Sequence, residues 1–188
     1  MELILIIIYG LTLSFIFLYS LVQITLVINY IRKGKKEVAV EALLEKDLPL
    51  VTVQLPLYNE LYVVERLIDS ITKFDYPKDK LEIQILDDST DETVDIVARK
   101  VAEYKAQGFN IYQYRRAIRT GYKAGALKEG MEICKGEFIA IFDADFLPRA
   151  DFLKKTVPYF KNKKIGVVQT KWEHLNKRYS LLTRLQAF

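Results

Sequence analysis

The sequence predicts an α/β fold: a doubly wound, mostly parallel sheet that follows an N-terminal transmembrane helix. Three observations carry this reading. No charged residue occurs from Leu3 to Ile31. Beyond Leu50, short β-branched runs alternate with longer runs of helical spacing, the order that builds a parallel sheet covered on both faces. The acidic, basic and glycine-bearing clusters all fall where those strands end, which is where open α/β sheets collect ligands.

Residues 1–31 read as a transmembrane anchor: a helix over Leu3–Ile31 would reach roughly 43 Å, enough to cross a hydrocarbon core of about 30 Å with tilt. A cleaved signal peptide would have a basic start and a shorter apolar region. Here the start carries Glu2, and the apolar run closes on Arg32, Lys33, Lys35 and Lys36. Such a flank stays on the cytoplasmic side, so the expectation is an uncleaved membrane anchor with the following domain in the cytosol. Residues 32–49 are a basic, charged connector with a short helix over Val38–Glu45. Residues 50–188 form the soluble domain.

Within that domain, "LVTVQL" (Leu50–Leu55) reads as a strand ending at Pro56, and Leu61–Phe74 as a helix with Val64, Leu67, Ile68 and Ile71 on one face. Leu81–Leu86 is a second strand, Glu92–Gln107 a helix stopped by Gly108, and Asn110–Tyr114 a third strand. Ala124–Cys134 is a helix and Glu137–Phe142 a fourth strand. Asp151–Phe160 is a helix broken near Pro158, Ile165–Thr170 a fifth strand, and an amphipathic helix starts near Ser180.

Composition narrows the chemistry. The net charge of +4 owes much to the cluster beside the membrane, and no surface of interleaved basic and aromatic residues points to nucleic acid. One cysteine, Cys134, allows no intrachain disulfide, and with one histidine, His174, no Cys/His zinc site forms within the chain. A metal here is oxygen-bound and hard, Mg²⁺ or Mn²⁺.

The strand ends carry the candidates. The first strand leads into Pro56-Leu57-Tyr58-Asn59-Glu60, and the second into Asp87-Asp88-Ser89-Thr90-Asp91. The third leads into Arg115, Arg116, Arg119, Gly121, Lys123 and Gly125, and the fourth into Asp143-Ala144-Asp145. The run after the second strand also suits a helix cap, although a cap needs one such residue and not three aspartates. The run after the third also suits a solvated basic loop. Glycines flanking Lys123 at a helix start favour a phosphate cradle instead. Asp143 and Asp145 would repel unless one took a proton or a cation intervened, and Mg²⁺ is commonly held by one or two carboxylates with water and phosphate completing its shell. His174 and Cys134 read as packing or surface residues. Trp172 suits either packing or stacking on a sugar ring.

In this order, "VTVQLPLYNE", "LDDSTD", "RTGYKAGAL", "FDADF" and "GVVQTKWEHLN" resemble the inverting family 2 glycosyltransferases, notably the cellulose-synthase-like and glucomannan mannosyltransferase-like members. The resemblance implies a nucleotide-diphospho-sugar transferase fold of GT-A type. It implies transfer of a hexose from a nucleotide-diphosphate sugar to a growing β-glycan, or of a single sugar to a membrane lipid. By it, Pro56, Tyr58, Asn59 and Glu60 pack against the donor's nucleoside, and Asp87 and Asp88 contact its base and ribose. Lys123 faces the diphosphate, Asp143 and Asp145 bind Mg²⁺ or Mn²⁺, and Trp172 lies on the acceptor side. A receiver domain or a haloacid-dehalogenase-like phosphatase would place its paired acids after the first strand, unlike this chain. The family's late acidic motif, which supplies the general base, and its Gln-x-x-Arg-Trp motif do not occur. The base is therefore expected beyond Phe188, the chain as the amino-terminal part of a longer enzyme, and donor binding without sugar transfer from this part alone. A truncated, non-catalytic nucleotide-binding membrane protein is the other expectation.

Overall fold

A computed structural model describes residues 1–33, 41–171 and 179–186. The chain divides into two compact units, Met1–Ala39 and Val40–Phe188. The first contains helix α1 (Glu2–Lys33), long and apolar enough to cross a membrane and apolar all round. Arg32 and Lys33 close it, and Lys35 and Lys36 of the basic cluster lie outside the described residues.

The second unit carries a parallel sheet of β1 (Val51–Leu57), β2 (Leu81–Asp87), β3 (Asn110–Tyr114) and β4 (Phe138–Ile141), in spatial order β3-β2-β1-β4. The connecting helices are α2 (Val64–Ile71), α3 (Thr93–Ala106) and α4 (Tyr122–Ile133), followed by α5 (Phe152–Thr156) and α6 (Leu181–Gln186). β1 meets β2 in the register Val51↔Leu81 through Leu57↔Asp87, and meets β4 through Val51↔Phe138 to Gln54↔Ile141.

Alternation decides which side chains each face buries. Val51, Val53, Leu55 and Leu57 join Leu81, Ile83, Ile85 and Ile111 on one face. Against it lie Val64, Leu67, Ile68 and Ile71 of α2, with Val97 and Val101 of α3. The other face is buried but polar, and its groups pair across the β1–β2 register. Thr52 Oγ1 donates to Glu82 Oε2 at 2.5 Å, and Gln54 Nε2 donates to Gln84 Oε1 at 3.0 Å. The backbone N–H groups of Lys135 and Gly136 donate to Glu82 and Thr52 at 2.9 and 2.8 Å. These bonds offset part of the cost of burying a carboxylate and two amides, while Glu82 Oε1, Gln54 Oε1 and Gln84 Nε2 stay buried without a hydrogen-bond partner among the described residues. Helix α4 covers this face through Gly130, where a Cβ would come within 2.7 Å of Gln54 Nε2.

Four expectations need correction. β1 does not end at Pro56 but runs through it to Leu57. Gln54 O accepts from Phe142 N–H at 3.2 Å, so Pro56, two residues on, turns its missing N–H to the same side, where β4 has already ended. Residues 61–63 do not begin α2, which starts at Val64. Residues 41–44 are not helical, and only a 3₁₀ turn forms at Glu45–Asp47. Ile165–Thr170 is not a strand: it makes no ladder, and Val167 is 83% exposed. A period-two run supplies a face, whereas a strand also needs a neighbour, and β4 pairs only with β1 among the described residues.

Candidate functional site

The chain steps from β1 to β2 to β3 in one direction, then returns across the sheet to place β4 on the far side of β1. The strand order therefore reverses between β1 and β4, and ligands of doubly wound sheets bind beyond the carboxyl ends at that point. A cavity of about 490 Å³ opens there. Pro56, Tyr58 and Glu60 line it from the β1 loop, and Asp88 from the end of β2. Lys123 lines it from α4, Arg119 from the loop before α4, and Asp143 and Asp145 from the end of β4.

The β1 and β2 loops are tied before any ligand arrives. Asn59 takes a left-handed conformation (φ 56°), which Asn tolerates better than most side chains. Its N–H donates to Ser89 Oγ at 3.0 Å, and its Oδ1 accepts from Thr90 N–H at 2.9 Å. Asp87 is fully buried, accepting from Ser89 N–H at 2.9 Å and from Gln113 Nε2 at 2.7 Å. Neither Asn59, which is exposed, nor the buried Asp87 lines the cavity; both hold its loops, while Pro56, Tyr58, Glu60, Asp88 and Lys123 line it. Trp172 lies outside the described residues, as do Glu173 and His174.

Asp88 is held differently. Arg116 grips it with two parallel bonds, Nε to Oδ1 at 2.9 Å and Nη2 to Oδ2 at 2.5 Å, with the carboxylate side chain only 5% exposed. The hydrogen bond to Asp88, first among several, holds the Arg116 guanidinium well above its ordinary pKa. Arg116 also donates to the carbonyls of Thr120 and Tyr122 at 2.9 and 3.0 Å and to Glu129 at 3.1 Å, so one side chain fastens the loop before α4 to the end of β2.

Gly121 precedes α4 with φ 70°. Gly125 lets Thr120 come close: a Cβ there would lie 1.9 Å from the Thr120 carbonyl oxygen. The glycines beside Lys123 therefore let the loop fold onto its own helix.

Charge in the cavity is unbalanced. Four carboxylates, Glu60, Asp88, Asp143 and Asp145, face two cations, Arg119 and Lys123. Lys123 forms an ion pair with Asp143, and Asp145 is exposed. Among the described residues no group of three or more His, Cys, Asp or Glu side chains could hold a metal. A metal at Asp143 and Asp145 must complete its shell from water and a bound ligand. That donor set fits Mg²⁺ or Mn²⁺ shared with a diphosphate and does not fit an all-protein cage. The Lys123 ammonium stands beside Asp143 as a cation already accepted there.

A second cleft, of about 540 Å³, lies over α2 between Tyr62, Asp69 and Pro148. Its acids are spent internally, Glu65 on Arg99 and Asp69 on Lys100 and Tyr104. The strand-end cavity is therefore the candidate site. Sequence reasoning noted Arg116 and Arg119 only as part of a basic run. Their separate tasks depend on partners some thirty and sixty residues away, which spacing along the chain does not show.

Residues 52–185 match the model of Glycosyl transferase family 2. The chain is 46% identical over 143 residues to a probable glucomannan 4-beta-mannosyltransferase 11 of Oryza sativa subsp. japonica, covering 73% of this chain and 25% of the relative. It is 44% identical over 143 residues to glucomannan 4-beta-mannosyltransferase 9 of Arabidopsis thaliana, covering 73% and 27%. The chain thus spans about a quarter of the length of these curated relatives. Among solved structures it resembles mannosyltransferase PcManGT from Pyrobaculum calidifontis, in complex with GDP-Man and Mn²⁺. That match has TM-score 0.61 and 33% identity over 71% of this chain and 38% of that one. S. aureus TarS shares the fold at TM-score 0.52 and 21% identity, over 65% of this chain and 23% of that one.

Proposed function

The chain belongs to glycosyl transferase family 2, and from that premise we propose that it forms the donor-binding part of a hexosyltransferase that extends a β-glycan. The observation that carries this is the meeting of four loops at the switch point, where Tyr58, Asp88, Lys123 and the Asp143–Asp145 pair line one cavity. The donor is a nucleotide-diphosphate sugar. The printed names of the relatives at 44–46% identity, and the GDP-Man held by the structural neighbour, favour GDP-mannose.

In this reading Tyr58 and Pro56 form the apolar wall against the nucleoside. Lys123 releases Asp143 to the metal and turns its ammonium to the diphosphate, where fixed positive charge stabilises a departing anion. Asp143 and Asp145 hold the Mg²⁺ or Mn²⁺, which supplies Lewis-acid neutralisation of that leaving group when bound. Inverting transfer also needs a general base at the acceptor hydroxyl, and none of the cavity's carboxylates is assigned that task. The acceptor is a β-linked glycan, α1 is a membrane anchor, and the domain that follows it lies in the cytosol.

Competition binding tests the donor. With Mn²⁺ present, GDP-mannose should bind roughly tenfold or more tightly than UDP-glucose, a difference of about 1.4 kcal/mol or more. Preference for UDP-glucose would overturn the mannosyl reading, and equal indifference to both would overturn donor binding itself.

A further inference from the structure

Arg119 is the cation at the site to which neither the motifs nor the family match gives a task. Its guanidinium carbon lies 3.4 Å from the centre of the Tyr58 ring and 5.0 Å from that of Tyr122. Such stacking holds a planar cation against an aromatic face and leaves its edge nitrogens for hydrogen bonding. Its one ion-pair partner among the described residues is already served: both oxygens of Asp88 are gripped by Arg116, and Arg119 Nε stays 3.6 Å from Oδ2. That Nε is buried without a hydrogen-bond partner. Arg119 borders the same cavity as Lys123, four residues later in the chain, at an opening where carboxylates outnumber cations two to one.

An anionic ligand entering this cavity meets net negative charge until a cation is turned to it. Lys123 is engaged by Asp143, whereas the guanidinium of Arg119 is positioned by two rings and committed to no carboxylate by hydrogen bond. We propose that Arg119 is a donor-binding residue that pairs with a phosphate oxygen of the nucleotide sugar, with Tyr58 as the platform that orients its fork. This rests on the reading of the cavity as a donor site. It adds a second phosphate-facing cation to Lys123 and explains why an arginine stacks on the residue expected to wall the nucleoside.

The test compares nucleoside with nucleoside diphosphate, because only the second carries the charge Arg119 is assigned to meet. The full chain in detergent is titrated with GDP, guanosine, UDP and uridine in Mn²⁺, as wild type, Arg119→Ala and Arg119→Gln. Far-UV circular dichroism checks that each variant is folded, and the glutamine variant keeps length and polarity in case alanine disturbs the loop. For the preferred base, both variants should lose roughly 10–100-fold in diphosphate affinity, the range for removing one charged hydrogen-bond partner. Nucleoside affinity should stay within about twofold. An equal loss on nucleoside and diphosphate would show that Arg119 acts only through the Tyr58 ring and would overturn the assignment. Unchanged diphosphate binding in both variants overturns it too, while leaving the donor site standing. A wild-type chain that binds neither diphosphate removes the donor-site reading and this inference together.

Discussion

Arg116 gives up nearly all its solvent to hold Asp88, with side chains 9% and 5% exposed. Removing one partner of a buried ion pair usually costs about 3–5 kcal/mol, because the other charge stays behind unpaired. Here Arg119 stands 3.6 Å away and compensates in part. Arg116→Ala should therefore cost about 2–3 kcal/mol and lower Tm by roughly 4–12 °C, read by thermal melting in detergent. Arg116→Lys should fall between, since an ammonium cannot make the paired bonds. An unshifted Tm in both variants would mean that the pair does not hold this loop. Most of the residues picked out in the sequence line the cavity. Tyr58, Asp88, Lys123, Asp143 and Asp145 each end a strand or start a helix. Asp87 carries an equally polar side chain but is buried in the fold, and Asn59, though exposed, spends its side chain on Thr90 of the next loop. Nothing in "LDDSTD" distinguishes the buried aspartate from the one at the cavity until Gln113 is brought beside it.

Among the elements, α2 and α3 are stapled by Asp69, which accepts from Lys100 Nζ and Tyr104 Oη, both at 2.7 Å. Burial opposes the charge on Asp69, but the bonds from Lys100 and Tyr104 outweigh it and hold the carboxyl below its ordinary 3.8. The hydrogen bond to Asp69 raises Lys100 above its ordinary 10.5. A depressed carboxylate contributes stability above its unfolded value and loses it as pH falls through the folded one. The raised lysine contributes below its unfolded value and loses it as pH rises through the folded one. The staple is thus intact at neutral pH. Asp69→Asn should cost about 1 kcal/mol there, a figure reduced for the partial exposure of the carboxylate. The difference should vanish in acid, below the Asp69 pKa, and a gap that persists in strong acid would mean that charge is not its source. Gly125→Ala makes a sharper demand, since the added methyl meets the Thr120 carbonyl at 1.9 Å. It should displace the loop that carries Arg119 and weaken nucleotide binding at least tenfold, measured by titration, and full binding would show that the loop yields freely. Helix positions were legible from period and caps, and β3 from its alternation. The ends were less so, because Pro56 is tolerated only through where β4 happens to stop, and the Ile165–Thr170 run lacks a partner strand.

For the whole molecule, the order of elements was readable because alternating strands and helices admit few topologies once crossovers are right-handed. That alternation put ligands at the carboxyl ends of the strands, and the structure adds the spatial order that makes β1 and β4 the switch point. What could not be read was which basic residues would cross the sheet end to meet which acids, since those contacts join loops far apart in the chain. The placement of α1 is a further expectation at this scale. With the soluble unit in the cytosol, protease added to sealed, right-side-out cells should spare it and digest it only after permeabilisation. Digestion in sealed cells would reverse the orientation. The central claim, that the end of β4 holds a metal shared with a nucleoside diphosphate, is met most directly by calorimetric titration of GDP with and without Mn²⁺ into wild type, Asp143→Ala and Asp145→Ala. The account predicts Mn²⁺-dependent binding in the wild type. It predicts a loss of roughly tenfold or more in each variant, with circular dichroism unchanged because neither side chain is buried. Undiminished, Mn²⁺-dependent affinity in both variants would contradict it.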